Sequence, residues 1–320
     1  MITGIGAYII NMITIMALGI FLSVIVVSLY FKFNAKNQKS YAAKTYQNIL
    51  WSMVSLPWIM GIVAAILLAF FDNELNSWQN IIPGIHWHHI DEFYYKSWHG
   101  ILGVLVVGFV IFAFVKSAVN LFKNIQKINV LKSLSHLESD NTYLLDTDNP
   151  MAFVGGYIKP KVFITTGMKE QLNSEQLEIV LLHEYEHVRC KDSLKKLIFR
   201  LLSSVYLGKT SIKLQSAMNL SIEQCADNAV TSKISDISKI AETLLKVKSL
   251  LNQTSDKKYD TTALCHYGFD EIEHRIRYLL LPEPQKTFPI FLISIISLVL
   301  AFSCTYFAAS AHHFIEYTLS

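Results

Sequence analysis

Residues 174–190 read SEQLEIVLLHEYEHVRC. Apolar side chains recur in this stretch at the spacing of one helical face, namely at Leu177, Val180 and Leu181. Asn173 or Ser174 has a side chain suited to capping the first turn. The stretch therefore predicts an amphipathic helix that buries one face and carries polar groups on the rest.

The same stretch contains an HExxH motif at its C-terminal end, with His183, Glu184 and His187 in the defining positions. On a helix the two histidines are one turn apart and point the same way. Two such imidazoles can hold one zinc ion, and Glu184 beside them can act as a general base. A catalytic zinc ion takes three protein ligands and keeps one open position, so a further ligand is required.

The third ligand is predicted downstream, where residues 223–227 read EQCAD. Glu223 completes the ligand set, and Asp227 lies one turn later on the same helical face, where it can accept the N–H of a ligating histidine. Asp192, five residues after His187, is predicted to orient an imidazole in the same way. An isolated ExxxD is usually a solvated helix face, but its position after HExxH favours a metal site.

The composition and hydropathy predict a membrane protein. Hydrophobic residues make up 52% of the chain and charged residues 17%, which is fewer charges than a soluble domain usually has. A membrane helix needs about 20 apolar residues. Four runs meet or nearly meet this length: 7–31, 49–71, 100–119 and 288–311. Long core helices of a soluble protein are the alternative, but four such runs argue against them.

The distribution of lysine and arginine predicts the orientation of these spans. The loop 32–46 has four lysines and no acid, whereas the loop 72–97 is acidic, so the positive-inside rule places 32–46 and 120–287 in the cytosol and both termini outside. The net charge of +3 is too small to indicate nucleic acid binding. The predicted regions are a membrane region with three spans, a cytosolic domain, a fourth span and a short external tail: 1–119, 120–287, 288–311 and 312–320.

Together with HExxH and EQCAD, residues 152–167, which read AFVGGYIKPKVFITTG, resemble the BlaR/MecR family of antirepressor membrane peptidases. The resemblance implies a mainly α fold, with four transmembrane helices and a gluzincin-like α+β zinc metallopeptidase domain inserted between helices 3 and 4. It implies one catalytic Zn²⁺, the bacterial cytoplasmic membrane as location, and a cytosolic DNA-binding repressor as protein substrate. The β-lactam receptors of the family carry a penicillin-binding sensor domain after the last span, and no such domain follows here, so β-lactam sensing is not implied.

Two alternative functions stay open. HtpX-type and prenyl-protein peptidases share HExxH, ExxxD and an Ala-Phe before the first hairpin, and the former implies quality control or processing of membrane proteins. A zinc-binding signalling receptor without turnover is the other alternative, although the complete set of ligands and general base argues against it.

Residues 152–156 and 161–166 are apolar and β-branched around glycine and proline, which predicts a hairpin beside the motif helix. An edge strand can align an extended substrate by main-chain hydrogen bonds. The predicted substrate strand consists of Ala152, Phe153, Val154 and Gly155. A hairpin with a purely structural role is the alternative.

The group that stabilises the oxyanion cannot be assigned from spacing alone, and four side chains are candidates: His266, Tyr267, Tyr157 and Arg275. Arginines in a pattern such as EHRIR, which contains Arg275 and Arg277, more often mark a helix surface. The His- and Trp-rich segment 86–99 is either an external metal or ligand sensor or an aromatic interfacial belt. Residues 194–207 form a basic amphipathic stretch that lies either on the inner leaflet or over the zinc site.

Overall fold

The structure is a computed structural model that describes residues 2–34, 41–71, 92–93, 98–139, 141–255, 269–280 and 303. The described chain is mainly helical, as predicted. The predicted fourth span 288–311 lies outside the described residues except for Ser303, and so do two oxyanion candidates, His266 and Tyr267. Most of the segment 86–99 also lies outside them.

The three predicted N-terminal spans fall within long helices. These are α1 (Ile5–Asn34), α2 (Ala43–Phe71) and α3 (Trp98–Ser133), each longer than the apolar run that predicted it. Helical geometry continues past the apolar stretch because the flanking residues, including several lysines, are themselves good helix formers. Within the described residues, Ile5–Phe33 and Ala43–Leu67 are long and apolar enough to cross a membrane.

The outer faces of α1 and α2 are apolar. Large hydrophobic side chains point away from the protein on both helices, including Ile9, Phe21, Ile62 and Ile66. A core helix of a soluble protein would bury such residues, whereas a membrane span presents them to lipid. Asn11, Thr14 and Ser23 are buried instead, on the side of α1 that faces the rest of the protein.

Helices α1 and α2 cross at a pair of glycines. A Cβ atom built on Gly61 would lie 2.6 Å from the carbonyl oxygen of Met16 and 2.7 Å from a side-chain carbon of Ile20. A Cβ atom on Gly19 would lie 3.1 Å from the Cα of Gly61. Small residues allow two membrane helices to approach this closely, since the contact is made by backbone atoms.

A two-residue pairing joins the start of the chain to the segment before α3, with β1 (Ile2–Thr3) antiparallel to β2 (Glu92–Phe93). The main sheet has four strands, β3 (Ser135–Ser139), β4 (Thr142–Leu145), β5 (Ala152–Gly155) and β6 (Lys161–Thr165), in the order β3-β4-β6-β5. Strands β4 and β6 run parallel, and the other neighbours are antiparallel. The predicted hairpin is confirmed by the pairing of β5 with β6, which leaves β5 at an edge.

Helices follow the sheet: α4 (Thr166–Gln171), α5 (Ser174–Cys190), α6 (Asp192–Leu202), α7 (Lys209–Thr231), α8 (Ile237–Ser255) and α9 (Phe269–Leu280). A 3₁₀ turn, Ser203–Val205, lies between α6 and α7. One core joins the sheet to α5 and α8 through residues such as Ile164, Val180 and Leu250. A second core joins α5 to α7, α8 and α9.

The membrane helices and the helical part of the domain share one hydrophobic core. Its buried members include Leu50 and Val54 of α2, Phe199 of α6, and Leu214 and Ile222 of α7. The domain is therefore packed directly against α1 and α2, so their relative placement is set by side-chain packing rather than by a linker.

We expect Gly61→Ala to destabilise the protein, because the added methyl group meets backbone atoms of α1 that cannot move aside. Overpacking of this kind costs roughly 1–3 kcal/mol. Thermal unfolding of the detergent-solubilised protein measures the loss. Gly108→Ala in α3 is the matched control, since no described atom lies within 4 Å of its added Cβ. Equal unfolding temperatures for the two variants would contradict the proposed helix contact.

Candidate metal centre

The motif helix α5 begins and ends at well-defined caps. Asn173 accepts a hydrogen bond from the backbone N–H of Gln176, and the Gln176 side chain accepts one from the Asn173 backbone N–H. Of the two capping residues considered, the structure therefore selects Asn173. Leu177, Val180 and Leu181 pack on the sheet side, which leaves the HExxH residues on the face toward α7.

His183, His187 and Glu223 bring three possible ligand atoms together. The Nε2 atoms of the two histidines lie 3.1 Å apart, and Oε2 of Glu223 lies 3.3 Å from His183 Nε2 and 3.6 Å from His187 Nε2. Bonds of about 2.0–2.1 Å to a tetrahedral zinc ion separate its ligand atoms by about 3.3 Å. The three observed distances fit that requirement. Among the described residues, this is the group of histidine, cysteine and carboxylate side chains that meets the geometry of a metal site.

The other ring nitrogen of His187 is held by Asp192. Nδ1 of His187 lies 2.8 Å from Oδ2 of Asp192, and both side chains are buried. Lys191 between α5 and α6 has a left-handed backbone conformation with φ of 52°. The chain reverses its direction at Lys191, which ends α5 and places Asp192 next to His187. A carboxylate at Nδ1 places the proton there and leaves the Nε2 lone pair for a metal ion.

Asp227 occupies the equivalent position at His183. Its Oδ1 lies 3.0 Å from Nδ1 of His183, but off the N–H axis, so the contact is electrostatic rather than a well-aligned hydrogen bond. Arg275 of α9 donates to both oxygens of Asp227, with Nε–Oδ2 of 2.8 Å and Nη2–Oδ1 of 2.7 Å. Asp227 is almost completely buried, which a paired carboxylate tolerates.

The structure changes the interpretation of Arg275. The sequence pattern favoured a helix surface for Arg275 and Arg277, and this is correct for Arg277, which forms an exposed pair with Glu273. Arg275 is instead 88% covered, because α9 packs on α7 and places Nη1 3.4 Å from Oε2 of Glu223. Its two carboxylate contacts favour a positioning role over direct oxyanion stabilisation.

The buried charges shift the pKa values of the group. Burial lowers the pKa of His187, but Glu223, Asp192 and Glu184 outweigh it and raise the value to about 10. Burial also opposes the charged form of His183, yet contacts with Asp227 and Glu223 leave its pKa raised. Burial raises the pKa of Glu223, but the nearby His187 and Lys196 outweigh it and hold that pKa well below its ordinary value. The surrounding carboxylates therefore favour a positive charge at the centre of the group, which a bound metal cation would supply.

Two lysines of α6 belong to the site and were not predicted from the sequence. Nζ of Lys196 lies 3.3 Å from Oε1 of Glu223, and Nζ of Lys195 lies 2.8 Å from Oδ1 of Asp192. The position of Lys196, one helical turn after Asp192, was the available signal. These lysines compensate the carboxylate oxygens that do not face the histidines.

The structure brings together the three predicted ligands and both predicted orienting carboxylates. Glu184 follows His183 on α5 and is partly exposed. Tyr157 lies on the β5–β6 loop, and its hydroxyl accepts a hydrogen bond from Nδ2 of Asn124 in α3. This bond engages Tyr157 with α3, away from the contacts that form the metal group. The strand Ala152–Gly155 is the sheet edge beside α5.

The family model described as BlaR1 peptidase M56 matches residues 8–279, which run from the first turn of α1 into α9. The chain belongs to the BlaR1 peptidase M56 family. The resemblance drawn from the motifs is thereby confirmed. Membership indicates a metallopeptidase, and α1 and α2 are its candidate membrane helices.

Curated relatives of the family include the methicillin resistance mecR1 proteins of Staphylococcus aureus (strain Mu50 / ATCC 700699) and of Staphylococcus epidermidis. Each is 27% identical to this chain over 159 residues. The match covers 45% of this chain and 25% of each relative. The matched region thus spans about a quarter of the length of these relatives.

We expect Asp192→Asn to weaken zinc binding by about 10–100-fold, because the ligating imidazole loses the charged acceptor that orients it. Competition with a chromophoric chelator in detergent measures the affinity. Asp236→Asn is the matched control, since Asp236 is exposed and caps α8, a task that asparagine also performs. Wild-type affinity in Asp192→Asn would contradict the orienting role of Asp192.

Arg275→Gln should lower the unfolding temperature strongly, because Asp227 and Glu223 would lose a cation while still enclosed. Removing one partner of a buried ion pair costs about 3–5 kcal/mol. The matched variant on the same helix is Arg277→Gln, which removes an exposed pair worth at most about 1 kcal/mol. Similar unfolding temperatures for the two variants would show that Arg275 does not hold the site.

Proposed function

We propose that this protein is a zinc-dependent endopeptidase of the bacterial cytoplasmic membrane that cleaves a cytosolic transcriptional regulator. The proposal is carried by one observation: three ligand atoms form a triangle of 3.1–3.6 Å while each imidazole has its opposite nitrogen against a carboxylate. A single catalytic zinc site would have this arrangement: two histidines of HExxH, a downstream glutamate, and a carboxylate beside each histidine.

His183, His187 and Glu223 would hold the ion, and Asp192 and Asp227 would keep the imidazoles oriented. A zinc ion bound there supplies a Lewis acid that polarises a carbonyl group and increases the acidity of water. The Glu223 side chain keeps 18% of its surface exposed, so the metal group is mostly enclosed but not sealed from solvent. This accessibility matches the requirement of a catalytic site for a position open to substrate.

Glu184 acts as the general base in this proposal. Its carboxylate takes a proton from the attacking water and passes it to the nitrogen of the departing amine, which converts a poor leaving group into a neutral one. Glu184 adjoins a ligand in sequence yet is not part of the ligand triangle, and its side chain is partly exposed. This leaves its carboxylate available for proton transfer.

The edge strand β5 is proposed to align the substrate. Among the strands that the structure describes, β5 pairs with β6 alone, with Ala152 opposite Ile164 and Val154 opposite Val162. Its other side offers backbone N–H and C=O groups beside α5, which carries the HExxH motif. An extended peptide can add to such an edge as a further strand, so the main chain rather than particular side chains would place the scissile bond.

The proposed topology has four spans, both termini outside and the domain 120–287 in the cytosol, as the lysine and arginine distribution predicts. A cytosolic site selects cytosolic proteins as substrates. The name of the mecR1 relatives refers to methicillin resistance, and membership in the BlaR1 peptidase M56 family supports a signalling role for this chain. A DNA-binding repressor is the proposed substrate on that basis.

Glu184→Gln should abolish cleavage while zinc remains bound, because the ligand set is unchanged and only proton transfer is removed. A general base contributes about 10²–10⁴-fold to the rate. The measurement compares new protein N termini in cells that carry wild type or Glu184→Gln, together with the zinc content of the purified proteins. Glu178→Gln on the exposed face of the same helix is the matched control and should cleave like wild type.

The products also separate the proposed function from its alternatives. New N termini in a DNA-binding regulator would support the signalling peptidase. New N termini in damaged membrane proteins would favour a quality-control peptidase. If zinc is bound but wild type and Glu184→Gln give the same set of protein N termini, the protein is a non-catalytic receptor.

A further inference from the structure

The segment that links the two halves of the metal group has an unusual charge pattern. Residues 193–222, here called the basic hairpin, comprise α6 after its first residue, the 3₁₀ turn and the first half of α7. They contain five lysines and arginines and no aspartate or glutamate. Asp192 precedes the basic hairpin and Glu223 follows it. The basic hairpin therefore begins and ends at the metal group.

The tip of the basic hairpin, residues 202–208, lies beside the apolar part of α2. The hydroxyl of Tyr206 donates to the carbonyl oxygen of Met53 over 2.6 Å, and Nε1 of Trp58 donates to the carbonyl oxygen of Leu202 over 3.1 Å. Met53 and Trp58 are about 15 and 22 Å along the helix axis from Ala43, at a rise of 1.5 Å per residue. Because the candidate span is Ala43–Leu67, the tip reaches well into its length.

The polar end of α2 lies before these contacts. Lys44, Gln47 and Asn48 occupy its first two turns, and the hydroxyls of Ser52 and Ser55 donate to carbonyl oxygens of their own helix. The boundary between water and lipid on the cytosolic side is therefore expected near these first turns. The tip of the basic hairpin lies beyond that boundary, toward the interior of the membrane.

Two backbone carbonyl groups at the start of the tip are hydrogen-bonded inside the protein. The carbonyl oxygen of Leu202 accepts from Trp58, and that of Ser203 accepts from the hydroxyl of Ser211 over 3.0 Å. The Ser203 hydroxyl in turn accepts from Gln215. Internal hydrogen bonds of this kind are what non-helical backbone needs at membrane depth.

The outer surface of the basic hairpin is amphipathic. Leu207 at the tip is 69% exposed, and Ile198 and Ile212 are also exposed. Exposed basic side chains lie next to them in sequence: Arg200, Lys209 and Lys213. Long basic side chains can extend from acyl depth to phosphate groups, so this combination fits an anionic bilayer surface.

We propose that the basic hairpin is a re-entrant element of the cytosolic leaflet, with its tip among acyl chains and its basic side chains on anionic phospholipid headgroups. The basic hairpin packs on α2, whose outer face is apolar, and this favours the bilayer as the partner of its exposed surface. The bilayer then supports the two ends of the basic hairpin, Asp192 and Glu223, and so helps to set the position of the metal group above the membrane. The proposal does not require the metal site to be catalytic.

A fluorescent amino acid placed at position 207 by amber suppression tests the depth of the tip. The full chain is reconstituted in nanodiscs of phosphatidylcholine with phosphatidylglycerol, and emission is quenched either by iodide in water or by nitroxide groups on lipid acyl chains. We expect strong quenching by the lipid nitroxide and little by iodide. The matched control is position 245, where Leu245 of α8 is 54% exposed on a helix packed on α5 and α9. Iodide quenching at 207 equal to that at 245 would overturn the proposal.

The headgroup contact has a separate test that needs no probe. Adding phosphatidylglycerol to the detergent-solubilised wild type should raise its unfolding temperature more than phosphatidylcholine does. The double variant Lys209→Gln, Lys213→Gln should lose most of this difference. The control Lys233→Gln, Lys246→Gln removes the same charge from exposed positions outside the basic hairpin. This control should keep the difference between the two lipids. Equal lipid effects on the two double variants, or no preference in wild type, would exclude headgroup binding by these lysines.

Discussion

The packing of α7 is the constraint on which the candidate site depends. The paired imidazoles come from one turn of α5, but Glu223 comes from a different helix and must be held within about 3.5 Å of both. Helix α7 is held by the core that it shares with α1 and α2, by Ser221 donating to the carbonyl oxygen of Ala43, and by Arg275 of α9. Three independent contacts thus fix one carboxylate, which is what a metal site needs to be ready before the ion arrives.

Electrostatics explain how so many ionisable groups are accommodated in a small volume. Each carboxylate of the group has a cationic partner besides a histidine: Lys195 for Asp192, Lys196 for Glu223 and Arg275 for Asp227. A buried carboxylate without such a partner would take up a proton and lose its ability to orient an imidazole or bind a cation. The cations come from α6 and α9, so both helices contribute to the site without providing a ligand.

The end of α2 connects the membrane region with the same helices. The backbone N–H of Ala43 donates to the hydroxyl of Tyr278 in α9, and Asn228 of α7 donates to that same hydroxyl. The first turn of α2 therefore bonds to the helix that carries Glu223 and to the helix that carries Arg275. Since a helix has unsatisfied N–H groups at its start, this arrangement also satisfies one of them in α2. Membrane helices and metal group form one packed unit.

The sequence by itself determined the features that depend on local geometry and local polarity. The motif helix, the position of His183 and His187 one turn apart, the β5–β6 hairpin and the apolar helices α1 and α2 all follow from neighbouring residues. Glu223 and Asp227 were predicted as well, because a catalytic zinc site requires a third protein ligand and an ExxxD pattern follows HExxH. The family could be recognised for the same reason, since its motifs are short and continuous.

Only the tertiary structure decided which distant residues join the site. Arg275 follows Asp227 by 48 residues, and its sequence pattern is that of an exposed helix surface, so only the packing of α9 on α7 shows that it is enclosed. The bond between Tyr278 and the start of α2 likewise could not be predicted from the sequence, and the depth of the α6–α7 turn along α2 could not be read from its amphipathic pattern. Contacts between distant elements depend on how whole helices pack, which local sequence does not encode.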